Sequence, residues 1–266
     1  MAYQDQRTGN LSSVAYKVSP AGTHLWSSSG VVLGEGLAPY PAVLSTGETV
    51  VAWNEATSNT LYIQKISTGG TTVWATPVSV LVGTSKTTRG QIVANPGGKF
   101  TMVFQRKGFG ISTTLFAQRY NTDGTAVWTN PLQISTETTS GARYYSIGVE
   151  ADTTYFGYYS SVGSRFNSYL QRINPDGSIP YGANGSNFNT STGSTDPYQQ
   201  MTNIALNPGS PFVWSLCSFS NTNQNQYGVY VQKFLKSTGA RQLGDAALNV
   251  FPISANFDTQ AGNVSL

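Results

Sequence analysis

Short apolar runs separated by Gly-, Pro- and Asn-bearing turns follow one another along the chain, as in Thr49-Val-Val-Ala-Trp53, Leu61-Tyr-Ile-Gln-Lys-Ile66, Phe100-Thr-Met-Val-Phe104 and Phe212-Val-Trp214. Runs this short, rich in Val, Ile, Phe, Tyr and Trp, predict strands rather than helices. Several are almost continuously apolar instead of alternating, which predicts sheets covered on both faces. One pattern returns. Tyr62 to Trp74 reads as an apolar residue, Gln, Lys or Arg, an apolar residue, a Gly-bearing turn and a large apolar residue four past the Gly; the other copies are Val14 to Trp26, Phe116 to Trp128, Tyr169 to Tyr181 and Tyr230 to Leu243. The first copy has Tyr16 where the others have Gln64, Gln118, Gln171 and Gln232, and the last carries one extra residue before its Gly.

The turn glycines Gly22, Gly70, Gly124, Gly177 and Gly239 are spaced by 48, 54, 53 and 62 residues, a period that indicates a repeat architecture. Each unit reads as four short strands; in the second these are Pro41 to Leu44, Thr49 to Trp53, Leu61 to Ile66 and Thr72 to Trp74. Asn95-Pro-Gly-Gly98 and Asn207-Pro-Gly209 carry type II turn chemistry, Pro at the second position and Gly at the third. Repeated four-stranded meanders predict an all-β, five-bladed β-propeller of antiparallel blades in a single domain. The blades fall at 1–36 plus 255–266, 37–86, 87–138, 139–194 and 195–254. Met1-Ala-Tyr-Gln-Asp5 aligns with the second strand of a unit, Val51 to Glu55, while 255–266 reads as a first strand; the C-terminal strand is therefore expected to pair with the N-terminal blade, Phe257 beside Tyr3. The repeated Gln reads as a packing amide between blades with its donors and acceptors on backbone groups, and Trp26, Trp74 and Trp128 as wedges on the outer strands.

Composition narrows the function. Of 266 residues, 10% are charged, with a net charge of +3 and no basic stripe, so nucleic acid is not expected as a partner. One Cys and one His cannot build a zinc site, no calcium loop occurs, and no metal or cofactor is expected. The chain has no run of about 18 apolar residues, which leaves no membrane-spanning helix.

Val51-Ala-Trp-Asn-Glu55, Tyr62-Ile-Gln-Lys-Ile66 and Met1 to Asn10 resemble the propeller repeats of secreted Bacteroidetes-type surface proteins, many of which travel by the type IX secretion route. The acidic-x-Arg pair of that pattern survives only as Asp5 and Arg7. The resemblance implies export to the periplasm, outer membrane or cell surface and a non-catalytic role. On that basis the expectation is a binding scaffold engaging another protein at the cell envelope, including as an accessory that occupies or caps an outer-membrane secretion channel.

Loops joining second to third strands, and one blade to the next, are where such folds place function. Here they offer Asp5, Arg7, Trp53, Asn54, Glu55, Arg106, Lys107, Phe109, Tyr158 and Tyr159 as candidate binding residues. Aromatic faces and amides suit sugars as well as extended protein segments, so a carbohydrate-binding module is an alternative, carried by Trp53, Phe109, Tyr158 and Tyr159. A glycoside hydrolase is the rival class. It needs a pair of carboxylates, and the first strands contain only Glu150 and Asp258, each at a strand's far end. Hydrolysis is therefore disfavoured, and with a single His, His24, no Ser-His-Asp triad is expected.

Overall fold

The structure is a computed structural model, and it describes residues 1–7, 9–58, 60–107, 113–138, 146–190 and 198–254. The chain divides into two compact units, Met1–Gln133 and Ile134–Leu266, each built of antiparallel sheets. In the first unit the strands are β1 (Ala2–Asp5), β2 (Ser12–Ala15), β3 (Val31–Val43), β4 (Thr49–Glu55), β5 (Leu61–Ile66), β6 (Val78–Val80), β7 (Thr87–Ala94), β8 (Phe100–Arg106), β9 (Leu115–Tyr120) and β10 (Leu132–Gln133). The second contains β11 (Ser146–Glu150), β12 (Thr153–Val162), β13 (Arg165–Ile173), β14 (Ser186–Asn187), β15 (Tyr198–Leu206), β16 (Phe212–Ser220), β17 (Tyr227–Leu235) and β18 (Leu248–Phe251).

Three sheets are four-stranded meanders, β7 to β10, β11 to β14 and β15 to β18. The remaining strands form a six-stranded sheet in chain order. It is two meanders joined through β3, whose first half pairs with β2 up to Glu35 and whose second half pairs with β4 from Gly36. Residues 255–266, and with them the pairing of Phe257 with Tyr3, lie outside the described residues.

Apolar runs without alternation occur where expected. Val50 and Ala52 point into the cluster shared with Ile92, Phe100, Met102 and Phe104 of the next sheet, while Val51 between them points the other way, to Ala15, Trp26 and Ile66. A strand alternates its side chains, so burial on both faces demands apolar residues at every position. Each such side chain contributes about 1.5–3 kcal/mol. The second unit has the same arrangement around Leu170, Phe188, Val213, Phe219 and Phe234.

The repeat motif itself is placed differently from the sequence reading. The outer strands are Val78–Val80, Leu132–Gln133, Ser186–Asn187 and Leu248–Phe251, a few residues beyond the aromatic residues assigned to them. Thr72 makes only an isolated bridge to Ile66, and Trp74 stands in a loop. The physical reason is the repeated Gln. Gln64 donates its Nε2–H to Trp74 O at 3.0 Å and accepts from Trp74 N at 3.3 Å and Lys65 N at 2.8 Å, so the side chain takes the place a paired strand would occupy. Gln118 does the same with Trp128 O and Arg119 N, and Gln232 with Gly244 O, Leu243 N and Lys233 N. Gln171 and Gln232 also reach Ile134 O and Phe188 O, on the segments leading out of the preceding outer strands. Their partners are backbone groups, as expected.

The loop so formed delivers its aromatic residue to the next unit's turn. Trp26 covers Gly70, where an added Cβ would stand 2.6 Å from the indole, and its Nε1–H donates to Thr68 O at 3.0 Å. Trp74 covers Gly124 and Tyr181 covers Gly239 in the same way, and Tyr181 donates to Lys236 O at 2.7 Å. Gly70 also holds φ +90°, so Ala there meets both the left-handed penalty and the indole. Gly97, φ +70°, is the control, with nothing within 4 Å of its added Cβ. Gly97→Ala is expected to cost about 1–2 kcal/mol, and Gly70→Ala about 1–3 kcal/mol more through overpacking, read from urea melts. Equal losses would show that the indole does not constrain the turn.

Candidate functional site

The first strand of three sheets carries the same irregularity near its start. Pairing skips between Leu37 and Tyr40, between Thr88 and Gln91, and between Gln200 and Asn203. Within the skips, Ala38, Arg89 and Met201 hold φ of 53°, 55° and 54°. These are β-bulges with a non-glycine residue in the left-handed region, a device that bends strand ends and re-aims side chains. In the first unit the bulge at Arg89 is held by a candidate from the sequence. Asn54 donates to Thr87 O at 3.2 Å and accepts from Thr88 Oγ1 at 3.1 Å and Arg89 N at 3.2 Å. Its amide is thus a clamp between neighbouring sheets.

The other sequence candidates separate by burial. Trp53 is 2% exposed and Tyr158 is 1% exposed. Trp53 stacks near Tyr62, and Tyr158 stacks between Phe156 and Tyr169 and donates its hydroxyl to Asn184 O at 2.7 Å. Neither ring has a free face for a ligand. Burial also pushes the Tyr158 phenol far above its ordinary range. Tyr159, one residue along, points to the opposite side and is half-buried. Arg106 lies over the Phe116 ring at 5.6 Å, Lys107 is exposed with its backbone N–H on Lys86 O, and Phe109 lies outside the described residues. Glu55 accepts from Thr57 N at 2.9 Å and from Ser58 N, closing the loop after β4; a hydrogen bond from the Ser58 side chain first, and then these two amides, lower its pKa to about 2.

Asp5 and Arg7 do come together. Arg7 donates through its backbone N–H at 2.9 Å and its Nε–H at 2.6 Å to the Asp5 carboxylate, and its Nη2 donates to both Tyr16 Oη and Ser29 O. The guanidinium holds the Asp5 carboxyl below the usual carboxylate range. A cavity of about 210 Å³ is lined by Asp5, Arg7, Ser12, Val14, Ser29 and Val32.

Strand register adds a residue that the sequence reading passed over. Asp5 pairs with Ser12, and Ser12 pairs with Glu35. Directly paired residues share a face, so Asp5 and Glu35 are on one face two strands apart, about 10 Å at the ordinary strand spacing. Glu35 is exposed and accepts from Asn10 Nδ2. The acids considered first stand elsewhere: Glu150 forms an ion pair with Lys236, and Asp258 lies outside the described residues. His24 is exposed beside the Tyr16 ring.

No family model matches the chain. No curated protein matches it. Among solved structures it is similar to the Penicillium chrysogenum alpha-L-arabinanase complexed with arabinobiose, at 12% identity, over 83% of this chain and 69% of that one, with a TM-score of 0.51. A GH43 endo-arabinanase from Bacillus licheniformis matches at 14% identity over 82% and 80% of the two chains, with a TM-score of 0.39, too low to argue from. The shared feature is the fold, and the all-β construction from four-stranded antiparallel sheets agrees with a propeller. The fold's match is to a carbohydrate-active enzyme, which overturns the expectation of a non-catalytic scaffold whose partner is another protein. Neither the secretion-associated family nor a Bacteroidetes origin gains support.

The Glu55 bonds generate a pH prediction. Its folded pKa of about 2 lies below the ordinary 4.5. The contribution is therefore present above pH 4.5 and is lost as pH falls through that value toward 2. The melting-temperature advantage of the wild type over Glu55→Gln should be seen at pH 6 and vanish by pH 2; an advantage that persists at pH 2 would refute the assignment.

Proposed function

We propose that the protein is a glycan-directed enzyme of the glycoside hydrolase class, with Asp5 and Glu35 as its carboxylate pair. The observation that carries this reading is the fold similarity to the arabinanase over 83% of the chain. The residues of this chain supply the chemistry. Asp5, kept ionised by Arg7, suits the base that removes a proton from water as its oxygen attacks the anomeric carbon. Glu35, the other carboxyl on the same face, is assigned the acid that protonates the departing glycosidic oxygen. The strands that carry them stand about 10 Å apart backbone to backbone, a placement that favours the wider carboxyl pair of an inverting enzyme, roughly 6.5–9.5 Å, over the roughly 5–5.5 Å of a retaining one, so inversion at the anomeric centre is the predicted outcome. The cavity of about 210 Å³ lies against Asp5 and Arg7 and is not lined by Glu35; it is smaller than the roughly 300–1,000 Å³ of drug-sized sites.

Glycan binding without turnover is the second reading. Hydrolases of this kind usually carry further acids, yet among the described residues no three His, Cys, Asp or Glu residues gather in one place. Release of reducing ends from arabinan and a panel of other polysaccharides separates the two. Asp5→Asn and Glu35→Gln are expected to lower kcat by about 10²–10⁴ while glycan affinity stays. Binding with no turnover on any substrate would establish the second reading; neither binding nor turnover would sink both.

The finer architecture belongs to the same proposal. Five sequence copies make five blades, and 255–266 supplies the inner strand that β1, a sheet edge among the described residues, is placed to accept. Deleting 255–266 should lower the melting temperature and raise iodide quenching of tyrosine fluorescence through Tyr3. An unchanged melt would exclude that strand. Export to the periplasm or cell surface, suggested by a charged fraction of 10%, fits a polymeric glycan substrate and is proposed with it.

A further inference from the structure

The hairpin of β12 and β13 carries aromatic residues on both faces, and the two faces differ. Phe156, Tyr158 and Tyr169 share one, stacked at 5.2 and 5.3 Å and buried, Tyr169 being the most open at 7%. They are core. On the other face the register pairs Tyr159 with Ser168 and Phe166 with Ser161, and the two rings meet edge to face at 5.8 Å and 80°. Tyr198, which opens β15 in the neighbouring sheet of the same unit, meets Phe166 edge to face at 5.6 Å and 79°. All three are half-buried. An edge-to-face chain uses the rim of one ring against the face of the next, so it holds rings rigidly without consuming every face.

The strand that brings Tyr198 also brings amides and strain. Gln199 is 0% exposed; its Oε1 accepts from Ser168 N at 3.1 Å, while its Nε2 is without a partner. Gln200 donates to Ser220 Oγ at 3.3 Å and Gln224 Oε1 at 3.0 Å. Met201 follows, 45% exposed at φ 54°. A buried amide donor left unpaired and a strained, exposed residue both work against stability, and folds keep such features where a ligand is met.

We infer that Tyr159, Phe166 and Tyr198 form a stacking subsite for a neutral sugar unit of a glycan chain, with the half-buried Gln200 amide, two residues along the strand from Tyr198 and so on its face, as a hydroxyl partner. The apolar face of a sugar ring lies on an aromatic face, and its hydroxyls need neutral donors and acceptors, which amides supply without a charge to desolvate. The subsite belongs to the second unit and the Asp5 and Glu35 pair to the first, and the inference rests on the glycan reading above.

Native gel electrophoresis through arabinan, and through a panel of other polysaccharides, tests it without requiring turnover. The wild type is expected to be retarded by at least one polysaccharide. Tyr198→Ala and Phe166→Ala should weaken that retardation about tenfold, and Tyr198→Phe should leave it within about twofold, since a ring face is worth up to about that factor. Where an Ala variant melts below the wild type, Tyr198→Leu, which keeps bulk but has no ring face, replaces it. Retarded wild type with equally retarded Ala or Leu variants would overturn the subsite and leave the glycan reading standing. A wild type retarded by no polysaccharide would overturn both.

Discussion

The structure depends on one recurring contact, an aromatic residue at the end of one repeat laid across the turn glycine of the next. Trp26 on Gly70, Trp74 on Gly124 and Tyr181 on Gly239 are the instances. The contact needs three things at once: a turn residue without a side chain, an aromatic plate, and a loop that carries the plate clear of its own sheet. For Trp74 and Tyr181 the repeated Gln supplies the third, while the loop of Trp26 forms with Tyr16 at that position. The Gln amide accepts and donates in place of a paired strand, taking the backbone groups of the loop at Trp74, Trp128, Gly182 and Gly244, each bond worth about 0.5–1.5 kcal/mol. The motif is thus a fastening between successive meanders, and no member of it is free for chemistry.

That fastening leaves the strand ends at the opposite side of each sheet to vary. The bulges at Ala38, Arg89 and Met201 lie there, as do Asp5 and Glu35, the loop closed by Glu55, and the rings of Tyr159, Phe166 and Tyr198. Strain is tolerated at these ends because both faces of the strands behind them are buried. Phe104, Phe156 and Phe219, each 0–1% exposed, fix the strands well enough that a left-handed residue a short way along cannot relax the sheet.

Much of this was legible in the chain and some was not, for reasons of register. Turn glycines announced themselves: Gly97, Gly124, Gly177 and Gly209 all hold positive φ, in turns where Asp123 and Asp176 accept from the residue two further on. The four-stranded unit and the backbone partners of the repeated Gln were readable too. The outer strand was misplaced because Thr72-Val-Trp74 alternates as a strand should, and alternation cannot reveal that a glutamine side chain has taken the pairing position. Tyr158 and Tyr159 stood as equal candidates because they are adjacent; which one is buried depends on the face its strand turns to the core. Glu35 stands alone between two glycines in a run that joins two repeats, with no neighbour in sequence to mark it.

The same limit explains why the two acids of the first sheet were not read together. Acids were sought on the first strand of each unit, on the premise that a reacting pair sits on equivalent strands. In the first sheet Asp5 and Glu35 come from strands 30 residues apart in sequence and meet on one face only through Ser12 between them. Their partners differ: Asp5 accepts from the Arg7 guanidinium, Glu35 from the Asn10 amide. The cation holds the Asp5 carboxyl below its usual range, because a positive charge beside a carboxylate favours the ionised form, and it comes from a residue only two positions away along the chain.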